Sequence, residues 1–196
     1  MASPSDPIDD LRCVAATREG DADAFADIVR RYQDRVFNTI YRLLGDREEA
    51  SDLTQQTFLR AYMSLDRFKG ASSFYTWLYR IGVNAALDER KKRARTPRPM
   101  SDSAVLTTGE GAQRPGGSSR SDNPAEEVLR GEREAAVTRA IETLDELHRS
   151  VVVLRDIEGM EYDEICEVLA VPRGTIKSRL HRARLVLKEK LKDLMQ

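Results

Sequence analysis

The chain has 196 residues, 40% of them hydrophobic and 33% charged, with a formal net charge of −1. That content allows a core for one domain or two small ones, and no apolar run approaches the roughly twenty residues that cross a bilayer. Two cysteines, Cys13 and Cys166, and two histidines, His148 and His181, are too few and too scattered for a disulfide framework or a zinc cluster.

The acidic start, Met1 to Asp10, has neither the basic end nor the apolar centre of a signal peptide, so a cytoplasmic protein is expected. A short helix is predicted from Asp9 or Asp10 to about Gly20. A longer one follows over Asp21 to Leu44, where Phe25, Ile28, Val29, Tyr32, Val36, Phe37, Ile40, Tyr41 and Leu44 keep a helical rhythm up to Gly45. Asp46 is placed to cap the next helix, with Glu49 in the capping-box position. This helix turns Ala50, Leu53, Thr57, Phe58, Ala61 and Leu65 inward and leaves Asp52, Gln55, Gln56 and Arg60 on its other side.

The loop Asp66 to Ser73 combines an aromatic, cations, a glycine and hydroxyls, a set suited to gripping something flat and charged. Ser72 or Ser73 caps a helix with Phe74, Trp77, Leu78, Ile81 and Ala85 on its buried stripe. Tyr75 and Tyr79 lie off that stripe, and Asn84 is a polar residue in an apolar stretch. The helix ends in the basic run Arg90 to Arg95. Aromatics beside cations suit single-stranded nucleic acid, whose bases stack on rings while phosphates meet Lys and Arg. A core role for the same rings, with the basic run as a solvated helix end, is the competing interpretation.

Residues 96–123 are rich in Pro, Gly, Ser and Thr and poor in apolar groups, which predicts a flexible linker. The expected organisation is therefore an N-terminal segment with a short helix (1–20), a helical domain (21–95), the linker (96–123) and a second helical domain (124–196). In the second domain one helix is predicted over Ala125 to Leu144 and another over about Glu146 to Asp156, where Leu147, Val151 and Leu154 repeat at helical spacing.

Two helices separated by Val171-Pro172 then close the chain. In the last one Ile176, Leu180, Ala183, Leu187 and Leu191 form one stripe, and Lys177, Ser178, His181 and Arg182 lie on the opposite side. Residues 173–192 hold eight Lys/Arg against the single acid Glu189. A helix–turn–helix whose second helix begins with base-capable and phosphate-capable side chains points to DNA. No paired-carboxylate, nucleophile–histidine or phosphate-loop pattern is present, so neither catalysis nor a cofactor is expected.

The order of these blocks resembles the bacterial RNA polymerase sigma factors of the extracytoplasmic-function (ECF, group IV) type. Asp52 to Tyr62 is similar to that family's core-binding helix. Phe68-Lys69-Gly70 and Phe74 to Ile81, through Asn84, are similar to its −10-reading loop and helix. Residues Gly159 to Ile165 and Gly174 to Arg184 are similar to its −35 reader. Gln56 stands where the family commonly has an acid, and the linker is long for the family.

The resemblance implies an all-α protein of two small helical domains joined by a flexible linker, the second containing the helix–turn–helix. It implies polymerase contacts at Asp52, Gln55, Gln56 and Phe58, and −10 contacts at Phe68, Lys69, Tyr75, Trp77, Tyr79 and Asn84. It also implies −35 base reading by Lys177, Ser178, His181 and Arg182, with Thr175 and Arg179 on phosphate. The implied partners are core RNA polymerase, promoter DNA and a cognate anti-sigma factor, with no membrane insertion of its own. The rival reading is a stand-alone helix–turn–helix regulator that binds its operator without polymerase.

Overall fold

The computed structural model describes residues 7–95 and 135–192, with side chains from residue 9. Among the described residues all regular structure is helical. Helix α1 spans Pro7–Arg18, α2 Ala22–Leu44, α3 Arg47–Met63 and α4 Phe74–Arg95, with a short 3-10 turn at Leu65–Arg67. Helix α5 covers 135–142, α6 Glu146–Val152, α7 Tyr162–Leu169 and α8 Arg173–Lys190. The linker and the first part of the helix predicted over Ala125 to Leu144 lie outside the described residues.

The helix boundaries follow local chemistry. Asp21 accepts from the backbone of Asp23 and Ala24 at 3.0 and 3.2 Å and starts α2. Gly45, with φ 76°, closes it and donates to the Tyr41 carbonyl at 2.8 Å. Asp46 accepts from Glu49 N at 3.0 Å, as its position predicts. The Glu49 carboxylate also pairs with Arg93 of α4, so it ties two helices together. Ser73 Oγ accepts from Thr76 N at 3.0 Å, which identifies Ser73 as the cap of α4.

The first module packs α2, α3 and α4 around Phe25, Ile28, Tyr32, Val36, Ile40 and Leu43 of α2, all buried. Gly82 lets α4 approach closely: a Cβ there would meet Thr57 Cγ2 at 3.2 Å. Helix α1 is fastened to α2 by the buried Asp10, which accepts from Arg31 at 2.6 Å and from Tyr32 OH.

In the second module α6 passes into a π-turn at Val153–Ile157, where Glu158 N donates to the Val153 carbonyl at 3.0 Å. The extra residue shifts the helical phase. The predicted repeat Leu147, Val151, Leu154 holds at Val151 and Leu154 but not at Leu147, in the first turn of α6. Leu147 is 51% exposed and Ile157 37%, while the contiguous run Val151 to Leu154 is buried. Glu161 and Glu164 form a reciprocal capping box at the start of α7. Ala170, with φ 52° and ψ 42°, makes the left-handed turn between α7 and α8. On α8, Ile176, Leu180 and Ala183 are buried and Leu187 is half-buried, as the stripe predicts.

The two modules do not stand apart. Helix α7 lies against α4, and the apolar cores run together as one cluster. Nothing in the amino-acid pattern announces this contact.

Candidate nucleic-acid interface

The exposed face of α8 carries Lys177, Ser178, His181 and Arg182, each projecting to solvent from the first half of the helix. Thr175 and Arg179 are half-buried beside them. Because Ile176, Leu180 and Ala183 hold the opposite face in the core, the polar four cannot turn inward. Helix α7 supports this surface: the Tyr162 ring receives Arg155, Arg173 and Lys177 at 5.0, 5.5 and 5.9 Å from its centroid. Arg184 grips Asp156 at 3.1 Å through Nε, and this hydrogen bond holds its guanidinium above its usual pKa. A rigid helix thus presents two cations, a hydroxyl and an imidazole over two turns, dimensions that suit a DNA major groove.

The −10 candidates lie on the first module. Phe68 is buried against Phe74 and Trp77, with ring centroids at 5.6 and 5.4 Å. Arg18 of α1 donates to the Leu65 carbonyl at 2.7 Å and also to that of Phe68, so the loop is anchored from behind. In front of it is a cavity of about 350 Å³ whose wall includes Arg67, Lys69, Ser72, Trp77 and Arg80. A hydrophobic floor with a cationic rim can take up a base and its phosphate. Asn84 is exposed beyond Arg80 on α4 and does not line this cavity.

Tyr79 is part of the apolar core and Tyr75 packs against it, its ring 5.9 Å from that of Tyr32, so neither ring is free on the surface. Their rings lie 4.3 Å apart, Tyr79 is 1% exposed, and both hydroxyls point at Glu158 of the second module. The Glu158 carboxylate accepts from Tyr79 at 2.9 Å, Thr39 at 2.7 Å, and Tyr75 and Arg35 at 3.4 Å each. Arg35 also donates to the Tyr75 hydroxyl at 3.0 Å and lies over its ring.

Burial pushes both phenols well above their ordinary pKa, and the Glu158 charge adds to the effect. Burial opposes the Arg35 charge, but Tyr75, Tyr79 and Glu158 outweigh it and raise its pKa. Burying a carboxylate costs several kcal/mol unless hydrogen bonds and an opposite charge offset it. Here one cation and three hydroxyls do so. A second bridge joins Thr76 Oγ1 to Glu164 at 2.8 Å, and Glu167 reaches the wall of the loop cavity.

On α3, Asp52, Gln55 and Gln56 are exposed on one side, but Phe58 is 7% exposed and belongs to the core. Its place in the inward stripe decides this, and it does not form part of a surface for polymerase. The apolar groups that α3 does expose are Leu59, Tyr62 and Met63, at 59, 48 and 77%. The sequence reading overlooked these, together with Arg18, Arg35, Thr39, Glu158 and Glu164. Helical spacing is the available sign for the first group, since Leu59 and Met63 fall at i+7 and i+11 from Asp52 and so share its exposed side. For the ion-pair and hydroxyl groups no local signal exists.

Among the described residues no helix is long and apolar enough to cross a membrane, and no group of three or more His, Cys, Asp or Glu side chains is set to hold a metal ion. The family model for sigma-70 region 2 matches residues 28–96, and that for sigma-70 region 4 matches residues 134–187. The RNA polymerase sigma-H factor of Pseudomonas aeruginosa is 37% identical over 95% of this chain and 96% of its own length. The ECF RNA polymerase sigma factor SigW of Bacillus subtilis is 36% identical over 92% and 96%, respectively.

Among solved structures, the sigma factor RpoE of Bartonella quintana, in complex with the anti-sigma factor NepR, is 25% identical with a TM-score of 0.63. That match covers 86% of this chain and 96% of RpoE. CnrH, in complex with the cytosolic domain of CnrY, shares the fold at 24% identity and TM-score 0.65, covering 97% of this chain and 99% of CnrH. These likenesses run through both modules rather than the helix–turn–helix alone, which disfavours a stand-alone regulator. With α3, the aromatic loop and the basic last helix all in the family's order, the chain belongs to the ECF sigma factors of the sigma-70 family.

Proposed function

We propose that this ECF sigma factor divides promoter recognition between its two modules as follows. The exposed α3 surface, Asp52, Gln55 and Gln56 with Leu59, Tyr62 and Met63 beside them, docks on core RNA polymerase. Lys177, Ser178, His181 and Arg182 enter the −35 major groove, with Lys and Arg donating to guanine O6 and N7 and Thr175 and Arg179 holding phosphate. The loop cavity takes a base flipped from the −10 element. The cost of unstacking, a few kcal/mol, is offset by stacking on Trp77 and by the cations Arg67, Lys69 and Arg80. Asn84 and the Tyr75–Tyr79 pair contact the strand on either side.

The chain contributes recognition and strand separation, and polymerase contributes the chemistry. It is therefore not an enzyme, and its place of work is the cytoplasm. A cognate anti-sigma factor controls it, as the pairing of RpoE with NepR suggests. Two weak half-sites on tethered modules gain affinity through effective concentration when polymerase holds them at the right span.

The observation that carries this reading is the pairing on α8 of four exposed polar side chains with a buried apolar stripe on its opposite face. Reconstitution with core polymerase, followed by sequencing of transcript starts, tests it. A shared promoter motif is expected upstream of the starts. Failure of the purified chain to join core polymerase would overturn it.

A further inference from the structure

Three acids of the second module face the strand-opening surface of the first. Glu158 fills a socket built from Arg35, Thr39, Tyr75 and Tyr79, and its side chain is only 6% exposed. Glu164 accepts from Thr76, a residue of α4 that is itself 1% exposed. Glu167 stands at the wall of the cavity whose rim carries Arg67, Lys69 and Arg80. A guanidinium with three convergent hydroxyl donors is a receptor for an oxyanion, and neither core packing nor α4's own backbone requires it. The phosphates of a nucleic-acid backbone carry the same sign of charge and the same kind of acceptor oxygens as these carboxylates.

We propose that Glu158, Glu164 and Glu167 form an intramolecular clasp standing in for DNA phosphates. It closes the strand-opening face of the free chain and exchanges for single-stranded DNA when the modules separate. The inference rests on the strand-opening role proposed above for α4 and its loop. It adds the phosphate socket Arg35–Thr39–Tyr75–Tyr79 and the regulation of that face by the chain itself. The device is reversible because its contacts are polar and conditional. A carboxylate leaving the socket regains water, whereas the cation and hydroxyls it leaves behind need a new acceptor.

The test uses the full chain with Glu158→Gln and Glu158→Lys. Small-angle scattering reads the separation of the modules, and fluorescence anisotropy with a labelled single-stranded oligothymidine reads access to the face. The wild-type chain is expected to be compact and to bind the oligonucleotide weakly. Both variants are expected to expand and to bind at least about tenfold more tightly, the scale of one charge-assisted contact removed. Adding Arg35→Ala to Glu158→Gln should abolish most of that gain, because the socket then lacks its cation.

If circular dichroism shows that Glu158→Lys has lost helix, Glu158→Gln alone decides. A wild-type chain as extended as Glu158→Gln, or one that binds oligothymidine equally well, overturns the clasp. Capture by core polymerase is measured in parallel. A chain that opens as described but never joins polymerase defeats the sigma reading and leaves the clasp standing. A chain that joins polymerase and shows no dependence on Glu158 defeats the clasp alone.

Discussion

Arg149 of α6 donates through Nη1 to the Leu43 carbonyl at 3.1 Å, joining the end of α2 to the second module. Arg90 of α4 donates to the same oxygen at 2.6 Å, so one helix-terminal carbonyl serves two cations. Nη2 of Arg149 donates to Leu144 O at 3.2 Å and also to Glu142 O. Burial, reinforced by Arg90, draws its pKa down to about 10. A cation bonded to neutral carbonyls in a buried seam thus braces the ends of α2 and α5 against α6.

Arg149→Ala is expected to leave Glu142 O and Leu144 O short of a donor, while Leu43 O keeps Arg90, and to lower stability by about 2–3 kcal/mol, since each buried group left unpaired costs about 1–3 kcal/mol. Chemical denaturation of the full chain measures it. An unchanged midpoint would remove the brace from the account.

Phe58 and its neighbours on α3 separate folding from docking. Phe58→Ala should cost about 3–5 kcal/mol of stability as a core truncation. Leu59→Asp or Met63→Asp, at exposed positions, should leave the melting temperature near that of the parent and weaken capture by core polymerase. Equal capture by the Asp variants would move the docking surface elsewhere.

Lys177→Ala and Arg182→Ala should each weaken use of a matched −35 element, by about 1–3 kcal/mol where the side chain reads a base. Where it meets phosphate, the salt slope of binding should fall by about one unit instead. Footprinting with holoenzyme at two salt concentrations distinguishes the two roles. Transcription from the matched promoter with −35 dependence intact would remove both residues from the reading face.

Tyr75 and Tyr79 predict a pH response. Their pKa values in the closed chain lie above the ordinary 10.0, so the closed form favours the protonated phenols. The stability they lend is fully present below pH 10 and is lost as the pH rises beyond it, because opened or unfolded chains ionise them first. Tyrosinate absorbance should therefore show late-ionising groups in the wild-type chain that titrate earlier in Glu158→Lys. Coincident titration curves would contradict the burial of the pair beneath the second module.

Ala170 holds the turn of the helix–turn–helix in the left-handed region, at φ 52°. That conformation costs an L-residue about 1–2 kcal/mol, of which glycine's greater freedom in the unfolded chain cancels about 0.5–1 kcal/mol. Ala170→Gly should accordingly stabilise the chain by about 0.5–1 kcal/mol in thermal melts. Destabilisation would mean that the Cβ contributes packing that outweighs the strain.

Much of this architecture is legible residue by residue. Gly45, Asp46 and Ser73 mark helix ends because capping is settled by side chains a few positions away. The α8 stripe is legible because burial there follows one helical period. What stays hidden depends on distant partners. Arg35 and Glu158 are 123 positions apart, and neither is unusual in its own neighbourhood. Tyr75 and Tyr79 fall off the stripe that spacing predicts for α4, yet their rings pack in and against the core and their hydroxyls meet a second module. Leu147 has the right spacing from Val151 for burial and is nonetheless 51% exposed in the first turn of α6, because periodicity does not say which elements cover a helix end.

The wide turn at Val153–Ile157 has a geometric consequence for the residues that follow it. A helix advances about 100° per residue, so removing one residue from this turn would restore ordinary winding and swing Glu158 by a similar angle around the axis. Its carboxylate would then aim away from Thr39 and Tyr79. The orientation of an acid toward a surface on the far side of the linker is thus fixed by a single surplus peptide unit, a feature that substitution scanning leaves untouched and a one-codon deletion would erase.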